Sequence, residues 1–227
     1  MMGGSGTRFG AKIPKQFTDV AGKPLFSYIV EKYATLSCIH SIIIVCNNQW
    51  VDYTKEYTSS LHLGKPVRVV AGGSSRSESV RNGLACASEY ANQDDVVLIH
   101  DATHPYVDEE GVARVIQATH ECGGATLGAC QYDTVYQINP QTQTIEDVIP
   151  RQTIVSGASP EAFRFGRIWE IYRNATIPEL ESYTSAGALA RAYDIVMKVI
   201  PTDYINLKIT YRQDMDAFMH LFHDYYF

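Results

Sequence analysis

The chain has 227 residues, 45% hydrophobic and 19% charged, with 19 Lys+Arg against 25 Asp+Glu for a net charge of −6. That balance excludes a disordered chain, and the acidic surplus argues against a general binder of nucleic acid or anionic membrane, because phosphate backbones need a basic face. At about 150 residues per domain the length implies one large domain, or one domain with an appendage.

The chain opens on a glycine-rich stretch, Gly3-Gly4-Ser5-Gly6-Thr7-Arg8-Phe9-Gly10. Such a loop normally follows a buried strand and leads toward a helix, so a strand upstream of Met1 is expected. Residues Pro24 to Leu36 then predict a helix, with Leu25, Tyr28, Ile29 and Tyr33 on one face. The apolar run from Ser41 to Cys46 reads as a strand covered on both faces. A helix around Trp50 to Tyr57, a strand at Val67 to Ala71 and a helix from Ser77 to Tyr90 follow, with Ser77 a candidate cap. Asp95 to His100 is a third buried strand, Val112 to Glu121 a helix, and Ala125 to Cys130 a strand.

Strands alternating with helices predict an α/β protein with an open, mostly parallel sheet, whose ligands sit at the carboxyl ends of the strands. Residues 131–158 break this rhythm. Thr134 to Ile138, a turn at Asn139-Pro140-Gln141 and Ile145 to Ile149 predict a protruding β-hairpin arm, which invites pairing with a second copy. Beyond it, helices are expected at Phe163 to Asn174 and Thr184 to Tyr193. Strands are expected at Val196 to Ile200 and Leu207 to Ile209, and a last helix at Asp214 to Leu221. With no repeat or linker, residues 1–227 form one domain carrying an arm. The five cysteines are scattered without a C-x-x-C pair, which suits reduced thiols in a cytoplasmic protein. No run approaches the roughly 18 apolar residues of a membrane span, and no signal peptide is visible.

The first loop is where chemistry is concentrated. It is not a P-loop, because no Gly-Lys-Ser/Thr follows at the right spacing. It is not a dinucleotide fingerprint either, because Phe9 stands where a glycine is needed and no acidic residue follows near Val20-Ala21-Gly22. What remains is G-G-x-G-x-R followed by Pro14-Lys15-Gln16. Glycines let backbone N–H groups approach phosphate oxygens, Arg8 offers a planar fork and Lys15 a second point charge. This set suits a triphosphate.

Together with Gly72-Gly73-Ser74-Ser75-Arg76-Ser77-Glu78-Ser79-Val80, His100-Asp101-Ala102, Asp133-Thr134, Arg151, Ser159-Pro160 and Asn206-Leu207-Lys208-Ile209-Thr210, the loop resembles the sugar- and polyol-phosphate nucleotidyltransferases over nearly the whole chain. Within them it resembles the branch containing the 2-C-methyl-D-erythritol 4-phosphate and ribitol-5-phosphate cytidylyltransferases. The resemblance implies a Rossmann-like three-layer sandwich of the nucleotidyltransferase type. It also implies the reaction of CTP with an alcohol phosphate to give a CDP-alcohol and pyrophosphate. Arg8, Lys15 and Lys208 would be the catalytic cations. Gly3, Gly4, Gly6, Thr7, Gly72, Gly73, Ser79 and Ala102 would bind CTP, with the Gly72-Gly73 turn and Ser79 reading the base. Asp101 would hold Mg²⁺, and Thr134, Arg151, Ser159 and His104 the phosphorylated polyol or sugar. Arg151, being on the arm, would reach the site of the other subunit of a homodimer.

The chain departs from the family pattern at three places. His104 stands where arginine is usual. Ser156 to Glu161 replaces a Gln-Thr-Pro-Gln-like run and brings in the anion Glu161. Tyr183 to Gly187 lacks the Thr-Asp pair of the erythritol branch. The glycine loop and the Asn206 to Thr210 run look more like the ribitol branch, which favours a capsule or cell-wall polyol phosphate over the isoprenoid precursor. A nucleotide-binding homologue without turnover is the rival of another class; the presence of Arg8, Lys15, Asp101 and Lys208 together opposes it.

Overall fold

The computed structural model of the chain describes residues 1–3 and 13–226. Its elements follow the apolar patterning closely. A short hairpin, β1 (Asp19–Val20) and β2 (Lys23–Pro24), leads into α1 (Leu25–Thr35). Then come β3 (Ile42–Cys46), α2 (Val51–Ser60), β4 (Val67–Ala71), α3 (Arg76–Ala87), β5 (Val96–Ile99), α4 (Glu109–Cys122) and β6 (Gly123–Cys130). The arm is β7 (Val135–Ile138) and β8 (Ile145–Ile149). The chain returns through β9 (Val155–Arg164), α5 (Phe165–Asn174), α6 (Ile177–Glu181), α7 (Ala186–Ala192), β10 (Val196–Thr202) and α8 (Arg212–Tyr226).

Helices cover both faces of a mixed sheet. On one side Val80 and Leu84 of α3 pack with Phe165, Ile168 and Tyr172 of α5 and Leu189 of α7. On the other, Phe26, Ile29 and Val30 of α1 pack with Ile44 of β3 and Val112 of α4. Strands β3 and β4 pair in parallel, from Ile42 opposite Val67 to Cys46 opposite Ala71. The larger sheet has the order β10–β6–β9–β5, with β10 parallel to β6 and β9 antiparallel to both its neighbours. The parallel pattern expected from strand–helix alternation is therefore interrupted by β9. This strand enters from the arm rather than from a crossover helix, and so runs the other way.

The sequence does not predict β9, because Pro160 lies inside it and proline is foreign to a central strand. The register explains its presence. Thr126 pairs with Glu161 while Leu127 pairs with Ala158, so Ser159 and Pro160 are looped out as a bulge. Proline therefore gives up no ladder hydrogen bond. Three smaller expectations are also corrected. Ser75, not Ser77, caps α3, accepting a bond from the Glu78 N–H. The helix expected from Phe163 begins at Phe165. Residues 207–209 form no strand; Ile209 makes one backbone bond, from its N–H to the Thr103 carbonyl at 2.8 Å.

Met1 and Met2 lie between β3 and β5. Met2 N–H donates to the Val45 carbonyl at 2.8 Å, Ala102 N–H donates to the Met1 carbonyl at 2.9 Å, and the Met1 amine donates to the His100 carbonyl at 2.6 Å.

Candidate active site

Strands β3, β4 and β5 end at Cys46, Ala71 and Ile99, and the residues that follow β4 and β5 are the glycine pair and His100-Asp101-Ala102. This is the rim at which open α/β sheets bind ligands.

At the Gly72–Gly73 turn the organising group is the Ser79 hydroxyl. It donates to the Ser75 carbonyl at 2.8 Å and accepts the Gly73 N–H at 3.0 Å. With the Gly72 N–H donating to the Cys46 carbonyl at 2.7 Å, it fixes the turn against the end of β3. A Cβ on Gly72 would lie 2.7 Å from the Ser79 oxygen, and one on Gly3 would lie 2.8 Å from it. Glycine at both positions thus lets two backbone segments close around one buried serine. Ala102 is buried beside them, bonded to Met1. Gly4, Gly6, Thr7 and Arg8 lie outside the described residues.

The anionic centre is Asp101, whose side chain is 16% exposed. Its Oδ1 accepts from Arg76 Nε at 3.3 Å and Nη2 at 3.1 Å, and its Oδ2 from Lys208 Nζ at 3.2 Å. Burial alone would raise its pKa, but Arg76 and then Lys208 outweigh it and hold the carboxyl well below the usual carboxylate range. Arg76 opens α3 and also faces Glu161 Oε2 at 3.6 Å. Glu161 is pinned in turn by the Gly187 N–H, 2.7 Å from its Oε1. Sequence reasoning assigned no role to Arg76. The available signal was its place in the first turn of a helix, the wrong end for a cation unless an anion holds it there.

The bulge in β9 aims Ser159 into this cluster. Its Oγ lies 2.8 Å from His104 Nδ1 and 3.4 Å from the Asp101 N–H, which donates to it. Burial, then the charge of Lys208, pull the His104 imidazole down to about 4, so it is neutral near pH 7. The loop carrying both residues is braced by His100. Its Nε2 is 2.9 Å from the His104 carbonyl, which can only accept, so Nε2 carries the proton and Nδ1 accepts from the Tyr33 hydroxyl at 2.8 Å. Burial pulls His100 down to about 3. Lys15 reaches across from the first segment, its ammonium donating to the Ile209 carbonyl beside Lys208.

Lys15, Lys208, Asp101, His104 and Ser159 are therefore brought together. Thr134 and Arg151 are not. Both are exposed at the root of the arm, where Arg151 donates to the Tyr132 carbonyl; neither belongs to the Asp101 cluster among the described residues.

No group of three or more metal-ligating side chains occurs among the described residues. Asp101 is the carboxylate that lies between Arg76 and Lys208. A hard oxygen donor of this kind fits Mg²⁺, which commonly takes one or two carboxylates and completes its shell with water and phosphate oxygens.

A family model described as IspD: 2-C-methyl-D-erythritol 4-phosphate cytidylyltransferase matches residues 1–221. The chain belongs to the IspD family. It is 31% identical over 221 residues to a ribitol-5-phosphate cytidylyltransferase of Streptococcus agalactiae serotype Ia, covering 97% of this chain and 92% of the relative. It is 30% identical over 213 residues to a 2-C-methyl-D-erythritol 4-phosphate cytidylyltransferase of Clostridium botulinum, covering 94% and 92%. The crystal structure of 4-diphosphocytidyl-2C-methyl-D-erythritol synthase from Anaerococcus prevotii superposes with a TM-score of 0.78 at 21% identity, over 92% of this chain and 93% of that one. That likeness shows a shared IspD fold. This member is an enzyme of the cytidylyltransferase class.

Proposed function

We propose that the protein transfers the cytidylyl group of CTP to a phosphorylated polyol, of the ribitol 5-phosphate type, with release of pyrophosphate. The observation that carries this reading is the convergence of Lys15, Lys208 and Arg76 about Asp101 at the carboxyl rim of the sheet. The acceptor phosphate is its own nucleophile, since its second pKa is near 6 and it is ionised at neutral pH. No general base is needed, and the neutral His104 is not asked to be one. The barrier is the approach of one anion to another, which the chain lowers by positioning and by fixed positive charge. Lys15 and Lys208 face the triphosphate and the developing pyrophosphate, with Arg8 of the glycine loop as a further cation. The Gly72–Gly73 backbone reads the base. Asp101 would hold Mg²⁺ together with the nucleotide phosphates, supplying charge neutralisation at the reacting phosphorus.

The acceptor end supports the ribitol type. A neutral His104 hydrogen-bonded to Ser159 presents polar, uncharged groups suited to hydroxyls, where an arginine would seek a second anion. Glu161, the new anion, is turned away from the substrate and neutralised by Arg76. We further propose a homodimer through the arm. Tyr136, Ile138, Ile145 and Val148 are half or more exposed on a two-stranded ribbon that pairs with nothing else in this chain among the described residues. A second copy laid along that ribbon would cover them and bring Thr134 and Arg151 toward a partner's acceptor. We place the protein in the cytoplasm. Its five cysteines are free, and no helix among the described residues is long and apolar enough to cross a membrane.

Pyrophosphate release from CTP, measured side by side with ribitol 5-phosphate and methylerythritol 4-phosphate, tests the reading. Faster turnover of ribitol 5-phosphate is expected. Clear preference for methylerythritol phosphate overturns the acceptor assignment, and no release with any polyol phosphate favours a binding protein without turnover.

A further inference from the structure

Asp101 is gripped by two cations of unequal kind. Arg76 holds Oδ1 through two nitrogens of a rigid fork, and its other side faces Glu161, itself pinned by the backbone at the start of α7. The side chains of Asp101 and Glu161 are 16% and 15% exposed and that of Arg76 37%. Lys208 is different. It makes a single contact to Oδ2 from a flexible stem, on a segment outside helix and strand, and is 51% exposed. A half-exposed lysine on a flexible stem gives up side-chain freedom to hold one contact and has water as an alternative partner, whereas a planar guanidinium held between two mostly buried carboxylates loses little entropy in staying put.

We propose that Arg76, anchored by Glu161, is a positioning residue that keeps Oδ1 of Asp101 permanently engaged, so that Oδ2 is the one exchangeable oxygen and Lys208 its displaceable cover. Oδ2 would be the oxygen available to a divalent cation bound with the triphosphate, and Lys208, once displaced from it, would be free to meet phosphate. The arrangement keeps the two buried carboxylates and the two cations neutral before substrate binds. It releases a positive charge when the anionic nucleotide enters. Arg76 touches no substrate in this scheme, and its effect is exerted through the direction in which Asp101 points. The inference rests on the cytidylyltransferase reading of the site.

Two substitutions are expected to move metal affinity in opposite directions. Lys208→Ala uncovers Oδ2. Arg76→Lys keeps the charge but loses the fork, so Asp101 is no longer aimed. The probe is Mn²⁺, titrated with and without CTP and followed by water-proton relaxation, with CTP binding in EDTA measured separately by calorimetry. Wild-type protein is expected to bind Mn²⁺ weakly alone and far more tightly with CTP. Lys208→Ala is expected to bind Mn²⁺ alone several-fold more tightly and CTP in EDTA several-fold more weakly. Arg76→Lys is expected to weaken Mn²⁺ binding with CTP present several-fold, while leaving CTP binding in EDTA within about twofold. Glu161→Gln, which removes the anchor alone, is expected to shift Mn²⁺ affinity in the same direction as Arg76→Lys, and it serves as the test should Arg76→Lys fail to fold. Shifts of the same sign in Lys208→Ala and Arg76→Lys, or unchanged Mn²⁺ affinity in folded Arg76→Lys and in Glu161→Gln, would overturn the proposal. Absence of any CTP binding by the wild type would instead overturn the functional reading beneath it.

Discussion

The floor of the site and the arm are built on opposite terms. In the floor, Asp101, Arg76, Glu161, Lys208 and Ser159 come from four separate stretches of chain, and each is fixed by a partner from another stretch. In the arm, β7 and β8 hold only one another, and the side chains of Ile145 and Val148 are turned to solvent. Groups that must neutralise charge to within a fraction of an ångström sit where packing from several directions fixes them. In the proposed dimer, the arm's exposed side chains would be completed only by a second copy.

Truncating the floor should cost the most. Phe163 of β9 is fully buried against β5 and β6 and the α5 core. Phe163→Ala is expected to lower stability by about 3–5 kcal/mol, read from urea unfolding. A cost below about 1 kcal/mol would show that β9 is not the keystone described here. Lys15→Ala attacks the same floor without touching its packing. The variant is expected to melt like wild type yet lose roughly 10²–10³ in turnover, about 3–4 kcal/mol of transition-state stabilisation. Near-normal turnover would remove Lys15 from the mechanism.

The pH dependence of folding sharpens the comparison from another side. His100 is buried and neutral, its pKa pulled down to about 3, whereas the unfolded chain protonates it near 6.5. Between those values the unfolded state binds the extra proton, so stability falls as pH drops. Relative to pH 7.5, the loss at pH 5 is expected to be about 2 kcal/mol from this histidine alone. Asp101 is still ionised in both states at that pH and does not oppose the trend. His104, pulled down to about 4, adds a slope of the same sign. Melts in EDTA should show the combined slope, and His100→Asn should reduce it by about half; an unchanged slope in that variant would place the buried proton elsewhere.

The smallest effect on folding is expected in the arm. Ile145→Asp should change monomer stability by no more than about 0.5 kcal/mol while dissociating the dimer, read by sedimentation. A destabilised monomer, or a dimer that persists, would show that the ribbon is packed in some other way.

The sequence made the layers legible because buried strands such as Ile42–Cys46 and Val96–Ile99 are nearly pure aliphatic runs, and α1 and α4 show clear helical stripes. The functional rim was legible because Lys15, Asp101 and Lys208 stand in recognisable short motifs. What escaped was set by tertiary context. Strand β9 tolerates Pro160 only because two residues are looped out opposite β6, a register no single-strand pattern reveals. The segment around Lys208 looks like a strand, but its backbone tie to the loop after β5 is the single bond from Ile209 to Thr103, and side chains hold the rest. Arg76 and Glu161 lie 85 positions apart, and nothing local to either says that they meet beside Asp101. The five-residue α6, with Pro178 in its first turn, is too short for a periodic signal.

Strand β9 serves the cluster twice, through Glu161 facing Arg76 and, two residues earlier, through Ser159 beside His104 and the Asp101 N–H. The looped-out pair Ser159-Pro160 is what lets both side chains reach the same place. Because side chains alternate faces along a strand, deleting one residue of the pair would turn Val155 to Ala158 over and send their inner side chains to the outer face. The bulge thus acts as a spacer whose length is counted in single residues.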